Sequence, residues 1–456
     1  MITATQSSEK YSEIFDQFGS RTAAQPHWLQ TLRKEAFARF AETGFPTTRD
    51  EDWRFTNISA VSNTAFELAG IERVSKEQLM PLGISGFATQ LVFINGLFSE
   101  KLSTLATYGK GVKVASLAAQ LASDPASVEP HLGKYLNLQR DAFCALNTAF
   151  VEDGIYISVP QGVVVEEPIY ALYVTVPGAT PQMNHPRNLI VAEKNSQVTV
   201  VEDYVSLGDG VTFSNAATEL IAGDNASVQH YMIVREGEGS NNFSTLRIQQ
   251  GRSANVATHS LLLGGSLIRN NVHPVLAGEG SECLINGLFM ANGRQHMDNY
   301  MLVEHASPHC DSRQFYNGIL NGNSHGVFHG RIIVHKDAQK TDAKQTNRNL
   351  LLSDDAQIDT KPQLEIYADD VKCTHGATIG QFDDSALFYL RSRGLPESSA
   401  RHLLLLAFAN ECLDRMHSTQ VRDHLEKLVV GALPEAAKFI GKRSAEGAER
   451  NLEEVG

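Results

Sequence analysis

Residues Asp369–Gly380 read DDVKCTHGATIG and place a thiol, Cys373, two positions before an imidazole, His375. The segment reads as a strand, where side chains alternate faces and residues two apart project the same way, roughly 6.5–7 Å apart at the backbone. Sulfur and nitrogen can then converge on one metal ion or one sulfur atom. Two ligands do not close a tetrahedral metal site. The pair therefore implies a partner chain, a transient ion, or simple packing. Lys372, or His375 when protonated, would favour the thiolate, the form that binds metal or accepts sulfur.

Other chemistry-bearing patterns have plainer readings. His305 with His309, and His325 with His329, show the four-residue spacing that chelates zinc on a helix. On a strand that spacing separates side chains by about 13 Å, too far to share an ion. Gly322, Ser324 and Gly326 match the G-x-S-x-G elbow of serine hydrolases, but a strand-like run (VFHGRIIV) follows where a helix is needed. The pairs Asp354-Asp355, Asp369-Asp370 and Asp383-Asp384 could serve a polysaccharide lyase or hydrolase built on a β-helix, the alternative function, but their loop-like settings make turn chemistry the default reading. No G-x-x-x-x-G-K-[ST] loop is present, so the chain does not hold ATP by that device.

The elements that must position Cys373 and His375 follow from the texture of the chain. Apolar Trp28, Leu32, Phe37 and Phe40 predict a helix over 26–44. PTTRDEDWRFTN (46–57) reads as a charged loop around Trp53, and Leu91–Ile94 with Asn95-Gly96 and Leu97-Phe98 as a hairpin. From about residue 150, short Val/Ile-rich runs alternate with turn residues. A small or turn residue, a polar residue and a β-branched or thiol residue recur, the third falling at Val198, Val228, Val256, Cys283, Cys310 and Thr341, in steps of 30, 28, 27, 27 and 31. Such a period predicts stacked coils, each burying its face on the next. Ala356-Gln357-Ile358 follows after only 17 residues, as though the register were lost. Cys283 and Cys310 then point inward as small hydrophobes, and Cys144 and Cys412 sit in apolar surroundings. The fold class is mainly β, a β-solenoid core over 146–385, with a helical and mixed α/β region over 1–145 and a helical region over 386–456. A β-sandwich, the competing architecture, would lack the longer period. After Gly394-Leu395-Pro396-Glu397 a helix carries the apolar stretch 400–413, a second carries Val421, Leu425, Leu428 and Val429, and the charged tail 441–456 reads as disordered.

Composition bounds the partners. Hydrophobic residues make up 42% of 456, the formal net charge is −13, and no basic run suits nucleic acid. No stretch approaches the roughly 20 apolar residues of a membrane span, and the N-terminus lacks the pattern of a secretion signal. Five cysteines argue against a disulfide framework and for a reducing cytoplasm.

The segment Cys373-Thr374-His375-Gly376-Ala377-Thr378 continues through ALFYLRSRG (386–394). Together with PTTRDEDWRFTN, NTAF (147–150) and VPQGV (159–163), it closely resembles the SufD family of the SufB/SufD superfamily, which serves bacterial iron–sulfur cluster assembly. SufB typically shows His-Glu-Ala and Phe-Tyr-Cys at the matching places. Here His375-Gly376-Ala377 and Phe388-Tyr389-Leu390 favour SufD. The resemblance implies a right-handed parallel β-helix with helical ends and a non-catalytic scaffold with no stably bound cofactor of its own. It implies pairing with SufB through the β-helix edge, or a homodimer when alone, and binding of the ATPase SufC through the C-terminal helices. Cys373 and His375 would lie at the SufB–SufD interface, handling transient iron or a shared iron–sulfur cluster. Arg393, Glu397 and Arg401 would be the exposed residues left for SufC.

Overall fold

The computed structural model describes residues 4–433, so the charged tail expected to be disordered lies outside the described residues. Two sheets of 11 and 10 strands dominate, and from Arg187–Ala192 onward successive strands of the chain alternate between them. Sheet A runs from Ile155–Val159 to Gln357–Ile366, and sheet B from Thr89–Ile94 to Lys372–Gly380. Within each sheet the coil-to-coil pairing is parallel. This is a flattened β-solenoid whose inner side chains form one continuous core. Its sheets also take strands from earlier in the chain. Thr89–Ile94 joins sheet B and turns through Asn95 (φ 52°) and Gly96 (φ 82°) into Leu97–Phe98, the expected hairpin.

Six successive coils enter sheet B through a residue in the left-handed region, two positions before the strand starts. These residues are Asn195, Asn225, Ser253, Gly280, His309 and Lys340. They are chemically unlike one another, which explains why the sequence period was legible only in part. Val198, Val228, Val256 and Cys283 stand in register as expected, but Cys283 pairs with Ser312, not with Cys310. The ladder continues through Ala343 to Cys373. Cys310 and Thr341 stand two positions too early, yet remain buried beside the preceding turn. The register is also not lost near residue 356. Gln357 opens a strand of sheet A, and the next sheet B strand begins at Lys372, 30 residues after Asp342.

Helices cover the outer faces of both sheets. Ala4–Arg21, which the pattern did not reveal, packs with His27–Thr43 and Ala142–Ala149 over Met183, Phe213 and Phe243 of sheet A. In His27–Thr43 the buried residues are Leu29, Arg33, Ala36 and Phe40. Arg33 is buried because its Nε donates to the Val151 carbonyl at 2.9 Å. Glu397–Leu413 and Thr419–Ala432 lay Leu405, Cys412, Val421 and Leu425 onto Tyr231, Leu261 and Leu288 of sheet B. A buried amide pins each covering layer. Asn215 Nδ2 donates to the Phe143 carbonyl at 3.0 Å, and Asn286 Nδ2 to the Cys412 carbonyl at 2.9 Å.

Candidate functional site

Cys373 and His375 lie on Lys372–Gly380, the last strand of sheet B, and share a face. The register shows which face. Cys373 pairs with Ala343 and His375 with Gln345, both buried inside the solenoid. Both side chains therefore belong to inward ladders that reach the surface because no further coil among the described residues covers them. Cys373 is half-buried against the core, and His375 is exposed.

The same end exposes much else that inner coils would hide. Gln357–Ile366 and Lys372–Gly380 are the outermost strands of their sheets, so each leaves one edge of backbone donors and acceptors unpaired. Ile366 (41% exposed) beside buried Val334, and Ile379 (50%) beside buried Asn349, extend inner positions into solvent. A solenoid end normally carries a polar cap for solubility. Here the described residues provide none.

The thiol is not activated by its own chain. Partial burial pushes Cys373 above the ordinary thiol value, a backbone hydrogen bond from Ala343 opposes this, and the Asp342 carboxylate adds to it. The expected help from Lys372 does not arise, because Lys372 projects from the other face of the strand. Among the described residues no group of three or more His, Cys, Asp or Glu side chains could hold a metal.

Arg393, Glu397 and Arg401 are all exposed, at the start of the C-terminal helices. Arg401 pairs with Glu397 at 3.1 Å, Arg391 also reaches Glu397 at 3.4 Å, and Arg393 donates to the Tyr389 hydroxyl at 3.3 Å. The sequence reading missed their apolar neighbours. Phe388 is 74% exposed and Tyr389 57%, with Leu395 and Leu403 also open. Phe388, Leu395 and Pro396 line one shallow groove with Arg391 and Glu397. Consecutive aromatics on the short helix Asp384–Ser392 were the available signal, since adjacent helical residues cannot both face one neighbour.

The competing constellations separate in space. His305 is buried inside with Nε2 2.8 Å from Ser312 Oγ, and His309 is a turn residue. His325 pairs with Asp359 at 2.7 Å, whereas His329 lies 3.5 Å from Gln363. Ser324 is fully buried in a turn, its Oγ accepting from the Asn321 amide, which leaves no nucleophile elbow. Asp383 caps the Asp384–Ser392 helix, and Asp354-Asp355 lie in a turn. The chain's cysteines form no disulfide among the described residues, and four of the five are buried. No described helix is long and apolar enough to cross a membrane.

Comparison with known proteins extends over nearly the whole chain. The core-domain model of SufBD proteins of the SUF iron–sulfur cluster assembly system matches residues 174–408, and the SufBD N-terminal region matches residues 5–171. The iron–sulfur cluster assembly protein SufD of Escherichia coli is 32% identical over 94% of this chain and 97% of its own length. An iron–sulfur cluster assembly SufBD family protein of Synechocystis is 34% identical over 88% of this chain and 90% of its own. SufD of Bacillus subtilis is 27% identical over 89% and 94%. A solenoid whose terminal coil presents one thiol and one imidazole thus occurs in a chain that belongs to the SufBD family of iron–sulfur cluster assembly proteins.

Proposed function

We propose that this chain is a non-catalytic, cytoplasmic scaffold subunit of a SufBCD-type complex. In this reading a SufB-type paralogue covers the open end of the solenoid, and a SufC-type ATPase docks on the C-terminal helices around Arg393, Glu397 and Arg401. Cys373 and His375 then contribute two ligands to transient iron or to a nascent cluster, and the paralogue contributes the others. The observation that supports this most is the uncapped coil. Unpaired strand edges and exposed inner apolar residues are unfavourable in water, and a second solenoid end satisfies both. The raised thiol fits the same scheme, because a free subunit should not carry a reactive thiolate before the complex supplies metal.

Co-expression with SufB- and SufC-type partners should yield a complex that co-purifies through size exclusion. Cys373→Ala and His375→Ala should leave that complex intact while lowering the cluster formed in it. Recovery of the chain only as a free monomer would count against the scaffold role. Unaltered cluster yield in both variants would remove the site.

A further inference from the structure

A cleft of about 300 Å³ lies on the outer face of sheet A, walled by the Asp52–Trp53 turn and by residues 136–141. It is separate from the Cys373 end and involves PTTRDEDWRFTN, a motif that the scaffold reading leaves without a task. Neighbouring coils set its floor. Arg247 stands beside His273, and Leu302 beside Arg331, in parallel register. Four arginines line the cleft (Arg140, Arg247, Arg269 and Arg331) against three carboxylates, in a chain whose net charge is −13.

Structural partners account for two of the four. Arg269 pairs with Asp298 and lies 3.8 Å over the Trp53 ring, and Arg331 pairs with Glu365 at 2.6 Å. The carboxylates are also occupied. Asp141 accepts from the amides of Phe143 and Cys144, Asp52 interacts with the Tyr300 hydroxyl, and Glu304 accepts from His273 Nε2 at 2.5 Å. Because that Nε2 donates, His273 Nδ1 is the acceptor that takes a hydrogen bond from Arg247 Nη1. The Glu304–His273 chain thereby aims Arg247, whose direct contact with the Glu304 carboxylate is a loose 3.7 Å. Two sets of donors remain unmatched. Among the described residues Arg247 Nε is buried with no acceptor, and the exposed Arg140 side chain has no ion pair. A buried donor without a partner costs about 1–3 kcal/mol, so Arg247 stands in the cleft wall with only part of its hydrogen-bonding capacity used.

We propose that this cleft binds a small anion of the carboxylate or phosphate class, held by Arg140 and Arg247, with Arg247 positioned by His273 and Glu304. The guanidinium fork matches the paired oxygens of either group. The volume is at the lower end for small-molecule sites, which favours a compact ligand. Arg247 is pulled below the ordinary arginine value by burial, which the Glu304 and Glu219 carboxylates only partly offset. The proposal stands independently of the scaffold role, since it concerns the opposite face of a different sheet.

Calorimetric titration of the full chain with citrate and with inorganic phosphate, at constant ionic strength, tests it. Saturable one-site binding by either probe is expected, citrate alone indicating a carboxylate ligand and phosphate alone a phosphate ligand. Arg140→Gln should weaken binding about tenfold or more. Arg247→Gln should weaken it further, and Arg393→Gln should not change it. Arg140 is on an exposed loop, so its variant decides the matter even if Arg247→Gln fails to fold. No saturable binding of either probe up to about 10 mM, or unchanged affinity in Arg140→Gln, overturns the proposal.

Discussion

Acidification should undo this fold through histidines that it keeps neutral. His185, His259 and His305 are buried, and burial holds them down to about 3, about 3 and about 4. Two of them face a donor that forbids the cation. Asn215 Nδ2 lies 3.3 Å from His185 Nδ1, and Asn286 Nδ2 lies 2.9 Å from His259 Nδ1. Each amide is fixed in that orientation because the same nitrogen also donates to a helix carbonyl. A depressed histidine means that the unfolded chain binds the extra proton, so stability is full above about pH 6.5 and falls as pH drops. Between pH 7 and pH 5 each residue removes about 2 kcal/mol, or about 6 kcal/mol for the three. Asp153 opposes this. Burial raises it to about 6, so its protonation returns a little over 1 kcal/mol over the same interval. The net loss of about 4–5 kcal/mol is comparable with the whole stability of many domains. At pH 5.5 these four groups should together contribute about two protons to the uptake on urea unfolding, and His259→Gln should lower the measured uptake by about one. The helices tied by Asn215 and Asn286 should lose hydrogen-exchange protection first. Near-zero uptake, or folded-state imidazole titration of His185 and His259 near 6.5, would refute the reasoning.

Further outcomes follow from particular contacts. Arg187 and Glu219 form a fully buried pair at 2.6 Å, so Glu219→Gln should destabilise by about 3–5 kcal/mol in urea unfolding by leaving the guanidinium uncompensated. A Cβ on Gly278 would meet the Arg252 backbone nitrogen at 2.1 Å, so Gly278→Ala should cost roughly 1–3 kcal/mol or more, read as a lowered unfolding midpoint. Cys373 is the one cysteine that is not buried, so native alkylation followed by mass spectrometry should modify it first. The modification should be slow at neutral pH and faster as pH rises, and early labelling of Cys283 or Cys310 would contradict the register. His375→Ala, at an exposed position, should shift stability by less than about 1 kcal/mol in thermal unfolding, and Cys373→Ala, half-buried at the end of the core, by about 1 kcal/mol.

The sequence was sufficient for the mainly β class, the stacked coils, the Asn95-Gly96 hairpin and the helices over 27–43, 397–413 and 419–432. Each rests on a local signal, whether a period of 2, a period of 3.6 or a turn residue. It also identified Cys373 and His375 as sharing a face, because alternation along a strand needs no knowledge of the neighbouring strand. What it could not supply was register. The left-handed turn residue is Asn, Ser, Gly, His or Lys from one coil to another, so the sequence period steps from Cys283 to Cys310 where the ladder runs to Ser312. Only the pairing of strands some 30 residues apart shows that Cys373 continues the ladder of buried Cys283 and Ala343. The same limit hid the arginine cleft. Its residues come from a turn near 52, a loop near 140 and strands of four different coils, and nothing along the chain relates positions that meet only when coils stack. Local geometry is written in adjacent residues, whereas an inner ladder becomes a surface site only where the stack of coils ends.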